Sequence, residues 1–236
     1  MAIPRSLRVL LLVVVAAGVA VTAGTWGYIH LIKDDAPAPL SLDTAGTTAT
    51  TAASTATTVA AVARSGVDGT YKVTSGSQAG YRVKEVLFGQ SADAAGRTSD
   101  VSGSLTIAGT KVTAASFTAD MTTVASNESR RDGQFKGRIM DVSTYPTSTF
   151  VLTDPIDFGT VPADGNQITT KATGKLTLHG VTKVVTFTLQ AKRTGSTIAV
   201  AGSIPVTFAD YGISNPSGGP AQTEDHGQIE FLLNLA

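Results

Sequence analysis

From residue 66 to the end of the chain, apolar and polar positions alternate with a period of two. In "VTFTLQAK", Val185, Phe187, Leu189 and Ala191 fall on one side, and Thr186, Thr188, Gln190 and Lys192 on the other. Successive side chains of a strand point to opposite faces, so this pattern predicts a strand that is dry on one face and wet on the other. The alternation recurs at Tyr81/Val83, at Val101/Leu105/Ile107, at Ala115/Phe117/Ala119/Met121 and at Phe150/Leu152. It returns at Leu176/Leu178, at Ile198/Val200/Ile204/Val206/Phe208 and at Ile229/Phe231/Leu233/Leu235. Turn signals separate the runs: "AGT" at 108–110, "ADGN" at 163–166, "HG" at 179–180 and "TGS" at 194–196. About eight such strands joined by short turns predict an all-β domain, an antiparallel sandwich or barrel. A barrel of about eight strands is filled by side chains or holds one small ligand, and periodicity does not choose between the two. Pro205 cannot donate to a ladder, so it predicts an edge or a bulge within its strand.

One stretch breaks the alternation. In "NESRRDGQFKGRIM", Arg131, Phe135 and Ile139 fall four apart, which predicts a short helical insert between strands. Gly133 and Gly137 each cost about 1 kcal/mol in a helix interior, so the insert should be broken or short. Ser126 or Asn127 is positioned to cap it, and Tyr145-Pro146 turns the backbone extended before the next strand. An insert of this kind over one end of a barrel stands where a lid would.

The N-terminal part is built differently. Arg5 and Arg8 precede an apolar run, residues 9–32, that contains no Asp, Glu, Lys or Arg and has Trp26 and Tyr28 near its far end. Its length matches the roughly 20 residues of a spanning helix, and the basic residues before it predict a cytoplasmic segment 1–8 with the bulk of the chain outside. The competing reading is a cleaved signal sequence, with small residues at Val21-Thr22-Ala23. Either way the rest of the chain is exported. Residues 33–65 are almost wholly Ala, Thr, Pro and Ser, with no aromatic residue, and predict a disordered linker.

Charge and composition narrow the chemistry. Eighteen basic and eighteen acidic residues balance, which removes the electrostatic case for a nucleic-acid partner. Cysteine is absent, so disulfides, thiolate metal sites and a cysteine nucleophile are excluded. The chain contains no Gly-x-Ser-x-Gly elbow, no His-Glu-x-x-His, no phosphate loop and no Gly-x-Gly-x-x-Gly, so neither catalysis nor a cofactor is expected. His179 reads as a turn residue with a backbone partner, and a metal site at His226 would need Glu224 and Asp225. Arg130, Arg131, Lys136 and Arg138 have two readings: a salt-bridged helix surface with Asp132, or guanidinium and ammonium groups at a barrel mouth that meet an anionic or polar head group. Phe117, Met121, Phe135, Met140, Phe150, Phe187 and Phe208 are likewise either core or pocket wall.

Several segments, taken in order, resemble the YceI-like proteins. They are "DGTYKVTSGSQAGYRVKE", "NESRRDGQFKG" followed by "YPTSTF", "GKLTLHGVTKVVTFTL", "FADYGIS" and "IEFLLNLA". The resemblance runs from Asp68 to Ala236. Many members carry His-Ser in the first strand region, where this chain reads Ser77-Gln78-Ala79-Gly80-Tyr81, so no ligand contact is carried over to a histidine there. The resemblance implies a lipocalin-like, eight-stranded antiparallel barrel over residues 66–236, with an elongated apolar cavity for an isoprenoid lipid of the quinone or polyprenyl phosphate class. Its wall would be Tyr81, Val83, Phe117, Met121, Phe135, Met140, Phe150, Leu178, Phe187, Leu189, Phe208 and Tyr211, and its head-group site Arg130, Arg131, Lys136 and Arg138. The expected protein is a membrane-anchored, extracytoplasmic lipid binder and not an enzyme. The rivals are a cell-envelope interaction or adhesion domain with a filled barrel, an enzyme with polar groups converging in the cavity, and a sensor signalling through the anchor.

Overall fold

The computed structural model describes residues 36–43, 66–87, 89–218 and 221–236. The apolar run 9–32 lies outside them; among the described residues no helix is long and apolar enough to cross a membrane.

Thirteen strand segments form one antiparallel sheet: β1 (Gly69–Lys72), β2 (Gln78–Leu87), β3 (Gln90–Thr98), β4 (Val101–Ala108), β5 (Lys111–Asp120), β6 (Ala125–Ser126), β7 (Thr147–Leu152), β8 (Ile156–Asp157), β9 (Gln167–Leu178), β10 (Val181–Thr194), β11 (Thr197–Thr207), β12 (Ala221–Thr223) and β13 (His226–Leu235). Hydrogen-bonded neighbours run β1-β4-β5-β7-β9-β10-β11-β13-β2-β3-β6, with β12 on β2 and β8 on β5. The sheet curls on itself, because β13 pairs with β2 through Gln228–Leu232 and then meets the end of β1 through the Val73–Leu235 bridge. The expected count of eight therefore gives way to thirteen segments. The physical reason is that breaks at 73–77 and at Ser99-Asp100 divide one long hairpin into the pairs β1·β4 and β2·β3, and that β6, β8 and β12 are too short to carry an alternation.

Pro205 sits where the sequence predicts. The pairing of β11 with β10 ends at Gly202, so beyond it β11 has only β13 beside it, and the missing N–H leaves no gap in a ladder.

The insert is a six-residue helix, α1 (Ser129–Gln134), running directly into one π-helical turn, Phe135–Ile139. Its cap differs from expectation. Glu128 is the N-cap and accepts from the Arg130 N–H, because Ser126 is held in β6 and donates both its N–H (2.8 Å) and its hydroxyl (2.6 Å) to Asp132 Oδ1. Phe135 and Met140 are the buried residues of the insert, and they join the cluster of Leu176, Leu178, Phe187, Val206, Phe208 and Tyr211 at one end of the barrel. A second cluster, including Tyr71, Leu105, Ile107, Val200 and Leu235, fills the wall at the other.

Residues 36–43, expected within the linker, pack on the outside of the barrel. Leu40 and Leu42 are buried against Ala201 and Leu232. Two leucines supply the apolar surface that the absence of aromatic residues seemed to rule out.

Candidate functional site: a two-part lumen with an arginine-lined mouth

The inward faces of the strands enclose two adjoining cavities. The inner one, about 190 Å³, is lined chiefly by apolar side chains, among them Leu105, Phe117, Phe150, Phe187, Leu189 and Phe231. The outer one, about 660 Å³, lies between the barrel wall and the helical insert, and Tyr81, Val83, Met121, Phe135, Met140 and Phe208 contribute to it. That volume is within the roughly 300–1,000 Å³ of ordinary ligand sites. Ala79, Ala119, Ser148 and Ile229 line both cavities, so the two meet at a waist of mostly small side chains.

Glycines keep the lumen open. Tyr81 faces Gly96 across β2 and β3, and Phe231 faces Gly202 across β13 and β11. A Cβ on Gly96 would stand 2.6 Å from the Tyr81 ring, and one on Gly202 would stand 2.8 Å from the Phe231 ring. With no side chain beneath them, these rings lie down along the wall. In "SADAAGRT" and "AVAGSIPV" a glycine inside a strand was the legible signal for such close approach.

Of the residues expected as wall, Phe117, Phe150, Phe187 and Leu189 line the inner cavity, and Tyr81, Val83, Met121, Phe135, Met140, Leu178 and Phe208 the outer one. Tyr211 lines neither. It lies in the 3₁₀ turn Phe208–Tyr211, packed into the core at 2 % exposure with no hydrogen-bond partner for its hydroxyl among the described residues. Its carbonyl accepts from His179 Nδ1 at 3.1 Å, the backbone partner expected for that histidine.

Arg130, Arg131 and Arg138 line the outer cavity together with Glu85 and Glu128, whereas Lys136 lines neither cavity. Their situations differ. Arg131 is committed: Nη1 donates to Asn127 Oδ1 at 2.8 Å and Nη2 pairs with Glu85 at 3.3 Å, both side chains mostly buried. Arg138 donates to the Pro216 carbonyl at 3.2 Å. The Arg130 guanidinium is exposed, with no partner among the described residues. Below this layer, Tyr81 stacks on Phe135, and its phenol is pushed up to about 12, first by burial and then by Asp132 and Glu85, with Arg131 acting in the opposite direction. The expected salt bridge of Asp132 with an arginine is replaced by its hydrogen bonds to Ser126.

His226 is exposed between Asp225 (2.8 Å) and Glu224 (3.3 Å), which raises its pKa, the Asp225 hydrogen bond first. Among the described residues no three His, Cys, Asp or Glu side chains are gathered as a metal site would need.

Comparison with known proteins places this all-β fold in a family. The model of the YceI-like domain matches residues 41–235. The chain belongs to the YceI-like family. It is 32 % identical over 151 residues to a UPF0312 protein of Pseudomonas aeruginosa, covering 59 % of this chain and 71 % of that one. A UPF0312 protein of Pseudomonas putida is also 32 % identical, over 135 residues, covering 53 % and 66 %. Among solved structures, a polyisoprenoid binding domain from Saccharophagus degradans implicated in plant cell wall breakdown superposes with a TM-score of 0.57 at 19 % identity, over 71 % of this chain and 98 % of that one. BcnA of Burkholderia cenocepacia superposes at 0.52 with 24 % identity, over 67 % and 95 %. At these identities the superpositions establish the fold, and the lumen described above is this chain's own.

Proposed function

We propose that this YceI-like protein is an extracytoplasmic carrier of an isoprenoid lipid, held at the membrane by residues 9–32, with the prenyl chain in the lumen and the head group at the arginine-lined mouth. The observation that carries the reading is the wall the two cavities share at Ala79, Ala119, Ser148 and Ile229: a mostly apolar bore, with Lys192 and Arg193 also at its border, adjoins a larger chamber that contains Arg130, Arg131 and Arg138. A long apolar chain with one polar end has that same asymmetry. The structural neighbour from Saccharophagus degradans is a polyisoprenoid binding domain, which points the same way. The hollow weighs against a filled barrel that presents its apolar excess outward.

The energetics favour carriage over storage. Burying a chain of about 40 carbons from water would yield on the order of 30 kcal/mol at ~0.8 kcal/mol per CH₂, beyond the ~18–21 kcal/mol at which affinities saturate. The lipid starts in a bilayer, where its tail is already buried, so exchange into the lumen is nearly balanced and reversible. No bond needs to be made or broken.

The test is to purify the full chain in mild detergent, extract it with organic solvent and examine the extract by mass spectrometry, then measure transfer of quinone and polyprenyl phosphate between vesicles. A stoichiometric prenyl lipid and catalysed transfer are expected. A protein that is empty and moves neither lipid would sink the reading.

A further inference from the structure

The face formed by β11, β13, β2 and β3 on the outside of the barrel is built as a seat. Ile229 and Phe231 line the lumen, and so do Tyr81 and Val83, so Glu230 and Arg82 between them point outward. Charged groups on the outside of a barrel are ordinarily wet, yet Glu230 is 1 % and Arg82 7 % exposed. Arg82 Nε reaches Glu230 Oε2 at 3.2 Å, and Arg97 Nη2 reaches Glu230 Oε1 at 2.7 Å. What covers this triad is the segment 36–43. Arg82 Nη2 donates to the Pro37 carbonyl at 2.5 Å, Arg97 Nη2 donates to the Ala38 carbonyl, and the Leu40 N–H reaches Glu230 Oε2 at 3.4 Å. Leu40 and Leu42 then cover Ala201 and Leu232, which also face out. With the segment seated, its carbonyls and the Leu40 N–H meet the polar atoms of the triad that its own ion pairs and Asp93 leave over, so the buried charges under it stay partnered.

We propose that residues 36–43 are a clasp that fixes the barrel directly beside the end of the apolar run 9–32. The clasp changes what the tether can do. With the clasp closed, four residues separate Ile32 from Pro37, a span of at most ~17 Å over the five steps. With it open, only the contour of the roughly 35 residues between Ile32 and Val67 limits their separation, an extended reach of ~120 Å. Closed, the barrel stays against the lipid source in one orientation, with the β11–β3 face inward. Open, it swings outward. This positional half rests on the membrane-anchor reading given under Proposed function, while the docking itself does not.

The cysteine-free sequence makes the test direct. In the full chain in detergent, nitroxide labels are placed at Ala38→Cys and Thr182→Cys, and their separation is measured by pulsed electron paramagnetic resonance. We expect one narrow distance distribution, broadened at least threefold by Leu40→Asp with Leu42→Asp, while near-ultraviolet circular dichroism reports the barrel intact. In vesicles containing an acceptor lipid, energy transfer from a dye at Thr182→Cys should fall by at least half in the same double variant. A broad distribution in the otherwise native chain, or a narrow one that survives the double substitution, overturns the clasp. A narrow distance that is lost on dilution with unlabelled chain would mean that the segment seats on a second copy, which overturns a clasp within one chain. A chain that keeps the narrow distance but does not float with vesicles overturns the membrane positioning alone.

Discussion

The rings of Tyr81 and Phe135 stack with centroids 4.8 Å apart and planes at 17°, so the helical insert is fastened to the barrel wall at the mouth of the lumen. Phe135 is 6 % exposed and opens the π turn that carries Arg138. Phe135→Ala removes the stack and leaves a void between insert and wall, a change that ordinarily costs ~3–5 kcal/mol. Urea unfolding should show that loss, with amide exchange across 129–139 accelerated more than in the strands. Phe135→Leu should restore most of the stability but not the ring pairing.

The same contact gives the protein an alkaline limit. Burial pushes the Tyr81 phenol up to about 12, so the folded protein holds this proton where the unfolded chain, near the ordinary value of ~10, has released it. The unfolded state then binds fewer protons, and stability must fall with rising pH. The contribution is fully present below pH 10 and is lost between about 10 and 12. Unfolding measured across that window should show the decline, and Tyr81→Phe should flatten most of it. Tyr211, whose phenol burial also raises, acts in the same direction.

Much of this architecture was legible because burial on one face enforces alternation. The runs through Phe117, Phe187 and Phe231 declare both the strand and its inward side, and the pairing in the structure follows them. The helical break at 129–139 was equally plain, since "NESRRDGQFKGRIM" loses the period-two alternation and spaces Arg131, Phe135 and Ile139 about one helical turn apart. Strand division was not legible, because the breaks at 73–77 and 99–100 are backbone events in mostly polar sequence, and Val73, the one apolar residue there, continues the inward pattern of the strand before it. The seat for residues 36–43 was hidden for a different reason. Arg82 and Glu230 occupy outward positions of the alternation and read as ordinary wet charges until the covering segment is placed over them. Tyr211 failed as a wall residue because it follows its strand and turns back in a 3₁₀ turn, where period two no longer applies.

Arg130 should report which head group the mouth accepts. Its neighbours Arg131 and Arg138 already serve Glu85, Asn127 and Pro216, and the Arg130 guanidinium is the one at this mouth with no partner among the described residues. As an exposed surface side chain it can be changed with stability altered by no more than ~0.5 kcal/mol. Arg130→Glu should weaken uptake of a polyprenyl phosphate by at least tenfold, through lost attraction and added repulsion, and leave a neutral prenyl quinone within about twofold. Equal losses for both lipids would place the head group elsewhere.

The waist decides whether the two cavities act as one site. Ala119 on β5 stands opposite Ser148 on β7, and both belong to the wall of each cavity. An alanine at this point leaves the bore continuous, and a phenyl ring in its place would stand in the passage. Ala119→Phe should cost ~1–3 kcal/mol from overpacking, measurable by urea unfolding and small enough to leave the barrel folded. Its effect on binding should depend on chain length. A two-isoprene analogue fits within the outer chamber and should bind as before, whereas a long prenyl chain that must thread past Ala119 should lose at least tenfold in affinity. The measurement is competition among a length series of one head group, so that only the tail varies. Unchanged affinity for every length would mean that the chain never enters the inner cavity, and equal loss for every length would mean that the substitution had disturbed the outer chamber. Only a break at an intermediate length fits a chain that runs from the arginines of the mouth through the waist into the apolar bore.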